Sequence, residues 1–124
     1  MRETLAIVAG AVVALWGVAH AIPTRPVVAG FGAISTDNRR IITQEWLAES
    51  FTMWFIAAVV IVATVVGEPD SAATEWTYRA SAAVLVAIGT LTALTGARTG
   101  VVWFKICPFL LATTAAALLV ASFI

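Results

Sequence analysis

The chain has 124 residues, of which 61% are hydrophobic and 11% charged, with a mean hydropathy of +1.00. A water-soluble domain carries about 25% charged residues, so this composition excludes one and points to a protein embedded in a membrane. Seven basic and seven acidic residues cancel, which removes the electrostatic footprint of a nucleic-acid binder, and the single Cys107 excludes an internal disulfide and any paired-cysteine redox or zinc motif.

The gaps between charges carry the strongest signal. Residues 4–24, 50–67, 80–97 and 106–124 hold no formal charge, and each gap is 18 to 21 residues long. At about 1.5 Å per residue each gap approaches the roughly 30 Å of a bilayer's hydrocarbon core, where a helix satisfies its own backbone. The runs are continuously apolar and lack the alternation of a membrane barrel. The expectation is an all-α, antiparallel up-and-down four-helix bundle forming one transmembrane domain over residues 1–124. Its helices are expected at about 5–22, 38–66, 77–96 and 101–123.

The first span has a rival reading. Arg2, the apolar run and the triplet Ala19-His20-Ala21 resemble a secretory signal peptide with its cleavage site. The apolar run is long for that role and Glu3 offsets the positive start, so a retained helix is expected. His20 falls near the end of this span, flanking the small-residue stripe Ala6, Gly10, Ala14, Gly17 and Ala21. It is a candidate proton or ligand group, or a histidine that stacks on Trp16 and bonds a carbonyl or water.

Residues 23–37 form the one sizeable connection, opened by Pro23 and Pro26 and continued through Gly30 and Gly32. Val27, Val28, Phe31 and Ile34 make it apolar, so it is expected to lie in the interface or to fold back over the mouth of the bundle. Ser35, Thr36 and Asp37 offer helix caps, and the breaker-free run after them predicts a long second helix from about Asn38, with its span proper from Glu45 to Val66. On the helical wheel Glu45, Glu49, Thr52, Ile56 and Ala63 share a line, which predicts that both carboxylates face the bundle interior.

The connection 67–76 is short and acidic, with Glu68, Asp70 and Glu75 around Pro69. In the fourth span Lys105 lies between Ala112 and Ala116 on the wheel, and small residues mark faces that another helix approaches, so Lys105 is expected to point inward. Pro108 either kinks that helix or begins it. Arg25, Arg39, Arg40 and Arg98 are candidates for lipid headgroups. Trp46, Trp76 and Trp103 sit at belt positions, and Cys107 reads as a packing residue. Five basic residues belong to the first and third connections against Arg2 and Arg79 on the other side, so both termini are expected outside the cytoplasm.

The segments GVAHAIPTR, STDNRRIITQEW and KICPF resemble those of a group of small uncharacterised four-helix prokaryotic membrane proteins, and the hydropathy profile is remotely similar to DoxX-like proteins. The resemblance implies a multi-pass protein of a prokaryotic plasma membrane. DoxX-like proteins are sometimes linked to quinone or thiol redox chemistry, but no cofactor motif in this chain carries that over, and the cofactor stays unknown. The residues themselves support a site for a small polar ligand, a lipid headgroup or a proton, built from His20, Glu45, Glu49 and Lys105 at the cytoplasmic mouth. The alternative is a scaffold that packs as a homo-oligomer or in a larger membrane complex. A small membrane enzyme is the third class, and it is less favoured because no nucleophile with an adjacent base, metal triad or phosphate-cradling loop is visible. No catalytic or metal-binding residue is therefore assigned.

Overall fold

The computed structural model describes all 124 residues, Met1–Ile124. Helices α1 (Arg2–Ala21), α2 (Thr24–Ala29), α3 (Thr36–Val66), α4 (Ala72–Leu94) and α5 (Val102–Ala121) follow one another, with a 3-10 turn at Gly96–Arg98 and no strand. Four of them, all but α2, are long and apolar enough to cross a membrane. The chain is thus an all-α four-helix bundle built as a multi-pass membrane protein.

The helices start and stop where side-chain chemistry requires. Ser35 caps α3, its hydroxyl accepting from the Asn38 amide at 3.1 Å, and Ser71 caps α4 through the Thr74 amide at 3.2 Å. α3 therefore begins at Thr36, two residues before the expected start, and α4 at Ala72, five residues before it. At 31 residues, α3 is about 46 Å long at 1.5 Å per residue, well beyond the hydrocarbon thickness. Its first turn, with Asp37, Arg39 and Arg40, projects exposed beyond the bundle. Pro26 is tolerated in α2 because it lies in the first turn, whose amides have no partner within the helix. Gly32, at φ +71°, then reverses the chain toward α3. α5 runs without a break from Val102 through Pro108, which settles the alternatives left open by the sequence: the fourth span does not begin at the proline.

α1 packs most closely on α3, and α4 on α5; α1 also meets α5, and α3 meets α4, which closes the ring. One shared core joins Ala6, Ala9 and Val13 of α1, Met53, Ile56 and Val60 of α3, Tyr78, Ala82 and Leu85 of α4, and Leu111, Ala115 and Leu118 of α5. The small residues of α1 permit this approach. A Cβ on Gly17 would stand 2.7 Å from Nε1 of Trp54 and 3.1 Å from Cβ of Met53. Trp54 of α3 leans across to α1 and donates from Nε1 to the Ala14 carbonyl at 3.2 Å.

Both chain termini lie at one end, which is tied shut. Arg2 donates from Nε to the Ala121 carbonyl at 2.8 Å and pairs with Asp70 at 3.0 Å and Glu75 at 3.5 Å. Arg79 pairs with Glu75 at 3.1 Å, donates to the Ser122 carbonyl at 3.1 Å, and lies over the rings of Phe123 and Trp76. Two guanidinium groups thus satisfy carbonyls at the C-terminus of α5, where a cation also complements the helix dipole. A buried Thr64–Tyr78 hydroxyl contact of 2.7 Å links α3 to α4 in the same half.

Candidate functional site

The opposite end holds a cavity of about 890 Å³. It lies beneath the first and third connections and is walled by α1, α2, α3, α5 and the C-terminal part of α4. The apolar connection does fold back over the bundle: Pro23, Pro26, Val27, Gly30 and Phe31 all line the space. The remaining wall includes four large aromatic side chains, Trp16, Trp46, Trp103 and Phe104.

His20 and Glu49 meet at this cavity. Nε2 of His20 lies 3.4 Å from Oε2 of Glu49, with the histidine side chain 9% exposed and the glutamate 32% exposed. The contact lacks the alignment of a hydrogen bond, so His20 Nε2 is a buried polar atom without a partner. The ring is held from its other side: it stacks on Trp46, with centroids 4.0 Å apart and planes at 15°, and the Trp46 Nε1 donates to the His20 carbonyl at 2.9 Å. Trp46 also meets Phe104 edge to face at 5.8 Å. A single tryptophan thereby fixes both the backbone and the ring of His20.

Trp16 Nε1 is a second buried donor of a lining residue; it makes no well-aligned hydrogen bond, and the Cys107 sulfur is the weak acceptor beside it. The hydroxyls at the rim are already committed as donors, Thr92 to the Ile88 carbonyl and Thr99 to the Gly96 carbonyl, so they face the cavity only as acceptors. Cys107 is buried in the wall, unpaired. Unpartnered buried polar atoms are rare because each costs the desolvation of its group; of the three in this chain, two border this space and the third, Ser50 Oγ, lies apart from it in the bundle interior.

The structure brings together only part of the expected constellation. Glu45 is exposed and does not line the cavity, because the neighbouring Trp46 takes the inward position at this level of α3. Lys105 is also exposed and lines a separate outer groove of about 580 Å³ with Gly89, Ala93 and Ala112. The inward face of α5 is Cys107, Leu111, Thr114, Ala115 and Leu118, so the stripe of Ala112 and Ala116 points outward. The inward face of α3 is likewise turned from the expected line, to Ser50, Met53, Ile56, Ala57, Val60 and Thr64. A helix that is apolar all round carries little phase information on its wheel, which is why the placement of Lys105 failed. His20 stacks on Trp46 and not on Trp16.

Arg25, Arg39, Arg40 and Arg98 are all exposed at the cavity end of the molecule, outside the cavity itself. Arg39 reaches the Gly32 carbonyl at 3.5 Å and Arg40 approaches Asp37 at 3.7 Å. No group of three or more potential metal-ligating side chains comes together. The aromatic wall escaped the sequence reading, which placed Trp46 and Trp103 in an interfacial belt. The available signal was spacing, since Trp46 lies three residues before Glu49 and hence on the same helical face. Comparison of the chain with protein-family models, curated proteins and solved structures finds no match.

Proposed function

We propose that the protein binds a small amphipathic molecule in this cavity, with the apolar body of the ligand against the aromatic wall and its polar part at Trp16, His20 and Glu49. The observation that carries the reading is the coincidence of a largely apolar space with the buried, unpartnered Nε1 of Trp16 and Nε2 of His20. Ligand sites combine an apolar lining with a few convergent polar groups in this way. Arg25, Arg39, Arg40, Arg98 and Lys105 lie exposed at the cavity end, five basic residues against the three acidic residues Asp37, Glu45 and Glu49, whereas the other end holds Arg2 and Arg79, both in ion pairs, against Glu3, Glu68, Asp70 and Glu75. That asymmetry supports a prokaryotic plasma-membrane protein with its cavity at the cytoplasmic face, its arginines at lipid headgroups and both termini outside.

Native mass spectrometry of the protein extracted in lipid nanodiscs tests the reading. The wild type is expected to retain a small molecule that an Ala19→Trp variant, with the cavity filled, does not. Equal spectra from two equally folded proteins would remove the proposal. A second reading, a scaffold that packs against another membrane helix, is favoured by one observation: small residues of α4 and α5 line the outer groove beside Lys105 with no other element of this chain over it. Crosslinking in native membranes through Ala112→Cys would yield a defined adduct in that case and none otherwise.

A further inference from the structure

The charge in the cavity narrows the class of ligand. Of the fourteen charged residues in the chain, Glu49 alone lines the space. Its one nearby basic group, His20, approaches without hydrogen-bond alignment and is clasped against Trp46. A carboxylate among aromatic side chains at the end of a bundle repels anions and is left unmatched by a neutral molecule. Removing such a charge from water is costly unless a counter-charge meets it. The walls supply the complementary attraction: the ring faces of Trp and Phe are negative, and several rings enclosing one space favour a cation with apolar substituents over a hydrated metal ion.

Resting on the proposed ligand-binding reading, we infer that the cavity takes an organic monocation, a tertiary or quaternary ammonium carrying apolar groups. Its charge sits between the Glu49 carboxylate and the rings of Trp16, Trp103 and Phe104, and its apolar substituents occupy the space under Val27 and Phe31. Trp16 Nε1 donates to a hydrogen-bond acceptor on the same molecule. Entry is past Ile22, Phe31, Val101 and Trp103, which line the cavity and are themselves exposed. An amphipathic cation concentrated at the bilayer surface therefore reaches the site without crossing the hydrocarbon.

The test uses the full chain in lipid nanodiscs, titrated with benzyltrimethylammonium and with neopentylbenzene, its neutral isostere in which carbon replaces nitrogen. Tryptophan fluorescence reports binding, and the cavity-filled Ala19→Trp variant corrects for partition into lipid. The cation is expected to bind at least roughly tenfold more tightly than the isostere, about 1.4 kcal/mol. Glu49→Gln should abolish that preference, and Glu45→Gln, at the exposed carboxylate, should preserve it. Trp103→Ala, at a surface position that leaves the core intact, should weaken the cation more than the isostere. Equal binding of the two probes, or a preference that survives Glu49→Gln, overturns the cation and leaves the cavity reading standing. Failure of both probes to bind in any manner sensitive to Ala19→Trp overturns both.

Discussion

The two ends of this bundle treat their polar residues in opposite ways. At the end that carries the termini, Arg2 and Arg79 reach across to the last carbonyls of α5 and to Asp70 and Glu75, so the charges there close the structure. At the other end, Trp16 and His20 keep buried nitrogens without partners beside Glu49, around open space. Polar groups that are satisfied within the chain stabilise a fold; those left unsatisfied carry a desolvation cost that packing elsewhere in the bundle offsets.

Substitutions can sharpen or break this contrast. The largest effect is expected for Arg79→Ala, which strips the Ser122 carbonyl and Glu75 of a charged donor and should lower stability by about 2 kcal/mol. Unfolding in bicelles measures the loss, and affinity for benzyltrimethylammonium should stay unchanged; a loss of affinity as large as that of Glu49→Gln would show that the ends are not independent. Trp46→Phe keeps a ring against His20 but removes the bond to its carbonyl, so a cost of about 1 kcal/mol is expected. Here the cation should also bind several-fold more weakly, because the backbone at His20 is no longer tied to α3. The smallest effect belongs to Lys105→Gln: the side chain is exposed in the outer groove, so stability should shift by no more than about 0.5 kcal/mol, and binding should not change. A Lys105 effect on affinity would return that residue to the site.

How far the site could be read in advance differs from residue to residue. Glu49 and His20 were legible because a polar group beside an apolar span stands out against its surroundings and has few stable places to go. Glu45 looked equivalent to Glu49, one turn away on the same face, yet Trp46 beside it turns inward and leaves Glu45 exposed. Lys105 was placed by the small residues near it on the wheel, but alanines in a membrane helix face lipid as readily as they face a neighbour. The aromatic wall assembles side chains from α1, α3 and the start of α5 with the loop residue Phe31, and no local pattern reports such a convergence.

Composition and charge spacing determined the helical class, the number of spans, their antiparallel order and the shared end of the termini. These follow from backbone hydrogen bonding and hydrocarbon thickness, which act on each segment separately. Only the tertiary structure decided which face of each helix turns inward, that α2 and Phe31 cover one end, and that His20 meets Glu49 while Lys105 does not. In lipid both faces of a helix are apolar, so its rotation is chosen by the fit of neighbouring side chains, a property of the assembled bundle and not of any one segment.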